Sequence, residues 1–466
     1  MKQLITLLAI VGIIYLSSLN WRRAVKAVLV ISVLEGAIRK WLLPEASDLI
    51  YFLKDIVLVT AYINYFALLK SSRNFRLKNN FINNLILIVA GWCIFQVLNP
   101  SLGSPIVGVF GLRGYLFYIP LMWIMPTLFQ SEEELYDFLR YFLLLVIPVG
   151  FLGIAQFFSP ASSPLNLYVP GEVSNVATFG VTSAVRVTGT FSYISGYGIY
   201  LLFCFGLLIP LLLTQQTEKW RWLSSVELLL IIVNSFMTGS RGVVIAIVLF
   251  LLGYTVTKGL LQPTKLVRLI KKLVLPSLIV TLVAAIWFQP AIDAFWLRTT
   301  SNQDIPARIV GSFTEPFEFI QYKQLDGYGT GSTHQAAPAL RRIFNLPRGE
   351  FIPTYYESEM GRVALELGPI GFGLWYGLRV SLLIALWLVF RKLKKPFLRE
   401  LALAAFLIQA IQINGQLVFN HTFSVYYWFL SGFIFLLPRL EQMENWQQYL
   451  LQQDVQTTYF TDSPHQ

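Results

Sequence analysis

Residues 194–257 read ISGYGIYLLFCFGLLIPLLLTQQTEKWRWLSSVELLLIIVNSFMTGSRGVVIAIVLFLLGYTVT, and this stretch decides the fold class. Its apolar blocks at 194–214, 222–238 and 242–257 each have about the length that crosses a bilayer as an α-helix. The polar connection after Leu213 and the turn Thr238-Gly239-Ser240-Arg241-Gly242 are too short to form domains. A chain in hydrocarbon must satisfy its own backbone hydrogen bonds, so these blocks are expected to run up and down as packed helices.

The same pattern extends in both directions. Further blocks lie near 4–20, 25–44, 49–69, 80–98, 112–129, 138–158, 273–289, 367–390, 400–418 and 422–438, which gives about thirteen helices in all. With 55% hydrophobic and 13% charged residues and a mean hydropathy of +0.60, the composition excludes a soluble enzyme, a fibrous protein and a disordered chain. Lys2 before a short apolar run suggests a signal peptide, but no small-x-small cleavage site follows and Trp21-Arg22-Arg23 reads as an interfacial stop, so the first block is kept as a helix. Cys93 and Cys204 both lie in apolar blocks, which leaves neither a disulfide framework nor a cysteine-rich metal site. The expected class is an all-α polytopic membrane protein. Residues 1–440 form the membrane domain, with extracytoplasmic loops at 159–193 and 290–366, the larger one before the last three spans, and 441–466 form a polar cytoplasmic tail with little order.

The net charge of +11, from 36 Lys plus Arg against 25 Asp plus Glu, would point to nucleic acid in a soluble protein. Here much of it sits in short basic loops: Arg22, Arg23 and Lys26; Lys70, Arg73, Arg76 and Lys78; Lys258, Lys265, Arg268, Lys271 and Lys272; Arg391, Lys392, Lys394, Lys395 and Arg399. These face the cytoplasm, no nucleic-acid partner is expected, and both long loops fall outside. The outer segments after residue 100 then carry Arg113, Arg186, Arg241, Arg298, Arg308, Arg341, Arg342, Arg348 and Arg362, with Lys323 as their only lysine. Guanidinium matches phosphate and carboxylate oxygens in bidentate fashion, so this bias reads as a site for an anionic ligand. The structural alternative pairs these arginines with Asp293, Asp304, Glu315, Glu318 and Asp326 to hold the loop together.

Arg241 stands where a helix begins, after Ser240 and between Gly239 and Gly242, where helix amides and a hydroxyl suit an anion; the alternative is an arginine reaching lipid headgroups. Arg186 precedes Thr188-Gly189-Thr190 at another helix entrance. Gly327-Tyr328-Gly329-Thr330-Gly331-Ser332-Thr333-His334 reads either as backbone amides wrapped around an anion or as a surface turn with an exposed histidine. His421 at the entrance of the last span is either a polar cap or a site residue. Helical spacing aligns Glu359, Arg362 and Glu366 as an ion-pair ladder or as acid-base groups, and leaves Glu357 off that face. Glu35 with Arg39, and Lys54 with Asp55, read as structural ion pairs.

Arg186 with Thr188-Gly189-Thr190-Phe191, the turn Thr238-Gly239-Ser240-Arg241-Gly242, and Glu366-Leu367-Gly368-Pro369-Ile370-Gly371 after a large outer loop together resemble the bacterial O-antigen ligase and polymerase superfamily. The resemblance covers the middle and last thirds best, and Glu35-Gly36-Ala37-Ile38-Arg39-Lys40-Trp41 is similar to a segment of a less studied branch. It implies a metal-independent glycosyltransferase of the plasma membrane, with no cofactor, working at the periplasmic face on oligosaccharide carried by undecaprenyl pyrophosphate. An acceptor hydroxyl would displace the pyrophosphate lipid with inversion. Its partners would be the lipid-linked oligosaccharide, an acceptor glycan, membrane lipid and chain-length or assembly-complex proteins. The implied pyrophosphate groups are Arg241 and Arg186 with Arg113, supported by Ser240, Arg362 and Glu359. Ligases of the superfamily place a histidine shortly before the Glu-Leu-Gly helix, where this chain has Tyr356-Glu357-Ser358. The base is therefore Glu357 or His334, or positioning suffices, and the departure favours a repeat-unit polymerase over a ligase.

Two other classes remain. A flippase of lipid-linked saccharide also needs arginines but would place them near the bilayer midplane between repeated halves, and no repeat is evident. A non-catalytic subunit of a polysaccharide assembly complex would keep the scaffold without the base.

Overall fold

The computed structural model describes residues 2–68, 80–169, 176–180, 183–261, 263–265, 267, 270–301, 305–323 and 325–461. Lys70, Arg73, Arg76, Lys78, Arg268 and Asp304 lie outside the described residues. The described chain is helical, with one isolated antiparallel bridge between Thr178 and Val185 and no named strand. In order the helices are α1 (Lys2–Leu19), α2 (Trp21–Ala37), α3 (Pro44–Ala67), α4 (Phe81–Val97), α5 (Pro105–Leu128), α6 (Glu132–Phe158), α7 (Ile194–Leu213), α8 (Glu218–Met237) and α9 (Arg241–Leu261). They continue as α10 (Leu275–Trp287), α11 (Gln289–Ser301), α12 (Ile305–Lys323), α13 (Ala337–Ile343), α14 (Glu359–Lys392), α15 (Pro396–Ile411) and α16 (His421–Leu450). Among the described residues, eight of these stretches are long and apolar enough to cross a membrane: α3, α5, α6, α7, α8, α9, α14 and α16. This is a helical, membrane-embedded protein.

Local chemistry explains where helices begin. Asn20, Asn80, Ser104, Ser131, Ser358 and Asn420 each accept a backbone N–H from the first turn that follows, and Pro105 and Pro396 sit where a missing N–H costs nothing. The apolar blocks carry these helices through hydrocarbon, where their association depends on close packing and polar contacts more than on the hydrophobic effect. α7 is the central post: 83% of its apolar window is buried, against 22% for α9, whose Leu249, Leu252 and Val256 face outward. Phe203 of α7 stacks on Tyr426 of α16 with centroids 4.2 Å apart, a pair worth about 0.5–1.5 kcal/mol beyond its burial.

Several charges inside the bundle are paired. Arg140 of α6 meets Glu227 of α8, and Glu400 of α15 takes both Lys258 and the Tyr254 hydroxyl of α9. Glu35 lies 3.8 Å from Arg39, as expected, and also binds Lys54. The expected Lys54–Asp55 partnership is replaced, because neighbouring helical residues point apart: Lys54 turns to Glu35 and Asp55 to Arg113 of α5.

The helix ends sort into two sets that contact within themselves. In one set Lys26 pairs with Glu134 at 2.7 Å, Lys395 lies 3.8 Å from Glu132, and Arg22 donates to the Thr127 carbonyl at 3.0 Å. In the other, Arg39 donates to Ser192 at 3.1 Å, Trp41 to the Pro164 carbonyl at 2.8 Å, and Thr330 to the Gly108 carbonyl at 3.1 Å. The described part of the expected loop 290–366 contains nearly all of α11, together with α12 and α13. The tail expected to lack order continues as helix, in the run Phe433–Thr461.

Candidate functional site

The glycine-rich segment Gly327–His334 is wedged between α5 and α14. Gly327, Gly329 and Gly331 have φ of 65°, 87° and 83°, a region open to glycine. A Cβ at Gly331 would meet the Val107 carbonyl oxygen at 2.7 Å and the Cα of Gly111 at 2.9 Å, so two backbones touch here. Its amides are spent inside the protein: Tyr328 donates to Leu365 at 2.7 Å, Gly329 to the Glu366 carbonyl at 2.9 Å, and Thr333 to the Glu366 carboxylate at 3.0 Å. The segment is therefore neither an open anion cradle nor a free surface turn. It is a buttress that delivers His334 to a fixed place.

There His334 stands edge-on to Phe110, with centroids 4.9 Å apart, and stacks on His421 at 6.5 Å. Its Nδ1 accepts the Ala336 N–H at 3.0 Å, so the neutral ring carries its proton on Nε2 and offers a donor. Burial first, then the guanidinium groups of Arg362 and Arg113, hold this imidazole down at about 4. His421 takes the opposite tautomer. Its Nε2 lies 3.1 Å from Nη1 of Arg113, which can only donate, and its Nδ1 has no protein partner among the described residues.

Arg113 itself is fully committed. It donates to Asp55 at 2.8 Å through Nε and lies 4.9 Å over the Tyr51 ring, while Tyr118 donates to the other oxygen of Asp55 at 2.6 Å. Arg362 departs from the expected ladder. Its Nη2 donates to the Thr333 carbonyl at 2.8 Å and its guanidinium lies 3.4 Å over the Phe419 ring. Glu366 instead accepts the hydroxyls of Thr333 at 2.7 Å and Tyr115 at 2.9 Å, and Glu359 pairs with Arg379 at 3.2 Å and accepts the Val418 N–H at 2.9 Å. Arg379 reaches Glu359 because Gly368, at φ 67° and ψ −178°, breaks the helix between them.

His334 and Arg362 open onto a cavity of about 1140 Å³, also lined by Arg341, Arg342, Arg348, Phe351, Tyr355 and Tyr356. The one carboxylate in the lining, Glu350, is taken by Lys323. Among the described residues none of the four arginines forms an ion pair; Arg341 is held by the carbonyls of Leu102 at 2.9 Å and Pro347 at 2.6 Å. Arg308 pairs at 3.0 Å on the surface with Glu357, which is not one of the loop carboxylates expected to hold these arginines. Glu357 does not line the cavity.

Arg186, Ser240 and Arg241 assemble elsewhere. Arg186 donates through Nε to the Thr238 carbonyl at 3.0 Å and packs on Gly239, whose φ of 59° turns the chain into α9. Burial, then the nearby guanidinium of Arg298 and, against a pull from Tyr168, that of Arg241, bring Arg186 down to about 10. Three arginines thus share one corner. From it, contacts run through Lys40, which donates to Thr188 at 2.8 Å, and Arg39, 5.2 Å over Tyr51, to Arg113 and the histidine pair. Site residues that the sequence left undistinguished are Arg341, Arg342 and Arg348. Their signal was present: Glu350 is the only acidic residue between Ala337 and Tyr356. Comparison of the chain with protein-family models, with curated proteins and with solved structures finds no match in any of the three.

Proposed function

We propose that the chain is a metal-independent, inverting membrane glycosyltransferase that transfers or polymerises oligosaccharide carried on undecaprenyl pyrophosphate, a repeat-unit polymerase rather than a ligase. In this reading about thirteen helices span a bacterial plasma membrane and the cavity faces outward. The observation that carries it is the cavity lined by four arginines that form no ion pair among the described residues, beside a half-buried imidazole and among the exposed Phe351 and Tyr355. Such a lining favours an anionic ligand with apolar or sugar faces.

The acceptor oxygen forms a bond to the anomeric carbon as the carbon–oxygen bond to pyrophosphate breaks, and the electron pair leaves on the pyrophosphate. Arg186 and Arg241 stabilise that departing charge. Arg113, saturated by Asp55 and His421, positions His421 instead. No described carboxylate in the cavity is free to take the acceptor proton, because Glu350 is paired, and His334 presents Nε2–H. Orientation therefore carries the reaction, and the proton leaves with solvent or the pyrophosphate. The same lack of a base is the specific observation favouring a non-catalytic subunit as the second reading.

Arg241→Ala tests the site. Membrane-inserted variant is expected to lose polymer by about 100-fold or more while single lipid-linked units accumulate on the outer leaflet. Polymer at the wild-type level removes the site assignment, and units trapped on the cytoplasmic leaflet identify a flippase.

A further inference from the structure

We propose that the cavity lined by Arg341, Arg342, Arg348 and Arg362 is a binding site for the acceptor glycan, and that this glycan is acidic, carrying carboxylates along its chain. The proposal rests on the glycosyltransferase reading for the word acceptor; the binding chemistry stands by itself.

Two cationic sets divide the work. Arg186, which donates to the Thr238 carbonyl and packs on Gly239, forms with Arg241 and Arg298 a compact corner in which their guanidinium groups bring Arg186 down, a setting that suits a concentrated charge such as pyrophosphate. None of these three lines the cavity. A pyrophosphate held at that corner leaves to a second anion the four guanidinium groups of the cavity, none of which forms an ion pair among the described residues. The cavity, at about 1140 Å³, exceeds the roughly 300–1,000 Å³ that encloses a drug-sized ligand, so it has room for several sugar rings. Its cations are distributed around the wall, on α13, on the segment that follows it and on α14, which suits charges repeated along a chain. Arg341 and Arg362 are held in place by carbonyls, so part of the ordering cost of binding is already met. Phe351, Tyr355 and Tyr356 add ring faces for the apolar side of a pyranose. A neutral saccharide would leave the guanidinium groups as they are, whereas carboxylates convert each into a charge-assisted pair.

The test is equilibrium binding to purified full-length protein in phosphatidylcholine nanodiscs. Probes are a fluorescently labelled hexagalacturonate and maltohexaose carrying the same label. The acidic probe is expected to bind saturably and about tenfold or more tightly than the neutral one, and to weaken as salt is raised. Arg342→Gln with Arg348→Gln, both exposed and outside the packed core, is expected to weaken it about tenfold. Arg241→Ala is expected to leave it unchanged. Equal binding of the two probes overturns the proposal, as does indifference to the Arg342 and Arg348 changes. Displacement of the probe by phosphatidylglycerol in the disc also overturns it, because the cavity would then hold lipid headgroups. If Arg241→Ala leaves polymer untouched while the binding pattern holds, the transfer reading fails and the acidic-glycan site stands.

Discussion

His334 presents the proton on Nε2 because Nδ1 is occupied by the Ala336 amide, and no inspection of a glycine-rich octapeptide reveals that. Its value near 4, against an ordinary 6.5, sets the sign of a pH dependence. Between about pH 6.5 and 4 the unfolded chain binds more protons than the folded one, so this histidine's contribution is complete above that window and is lost as pH falls through it. Thermal unfolding followed from pH 7 to pH 4.5 is expected to show a smaller decline in His334→Gln than in the wild type; equal declines would mean the imidazole is not held neutral by its surroundings. Arg362 is placed by equally distant partners. Spacing along the chain aligned it with Glu359 and Glu366, but Phe419 and the Thr333 carbonyl, supplied from other segments, hold it instead. Residue types in the site were legible in the sequence, whereas partners that come from far along the chain were not.

At the scale of elements, helix positions were readable because length and hydropathy are local properties: among the described residues a helix stands at each apolar block named from the sequence, and eight of the helical stretches are long and apolar enough to cross a membrane. Breaks were harder. Gly368 and Pro369 lie inside one apolar run, and the reversal there depends on Gly327 and Leu325 packing against it; a Cβ at Gly368 would lie 2.3 Å from the Leu325 carbonyl oxygen. The buttress Gly327–His334 is likewise defined by what it touches. Gly331→Ala is expected to cost about 1–3 kcal/mol and to lower the unfolding temperature, because φ 83° and the Val107 carbonyl both oppose a methyl group. Gly373, where an added methyl would meet nothing within 4 Å, is the control, and Gly373→Ala is expected to leave the temperature unchanged or raise it. Comparable losses from both would show that the contact with α5 carries no particular weight.

Across the whole molecule, one set of helix ends holds lysine and glutamate pairs and the other holds the arginine cavity, the three-arginine corner and the histidines. The arginine bias was visible in the sequence; its division into two sets required the fold. Asp55 joins them, binding Arg113 from α3 and fixing Tyr118, with Arg113 bound in turn to His421. Removing one partner of such a buried pair costs about 3–5 kcal/mol, so Asp55→Asn is expected to destabilise by that order in a denaturation series, and adding Arg113→Gln to recover part of the loss. A double variant that is simply additive would show the pair to be uncoupled. The central claim, glycan transfer from a pyrophosphate lipid, is tested most directly with purified protein, synthetic undecaprenyl-pyrophosphate-linked repeat unit and no added metal. Polymer with inverted anomeric configuration is expected, lost in Arg241→Ala and retained within about twofold in Glu357→Gln, whose surface ion pair is worth little; a wild-type protein that binds the substrate and forms no glycosidic bond contradicts the account.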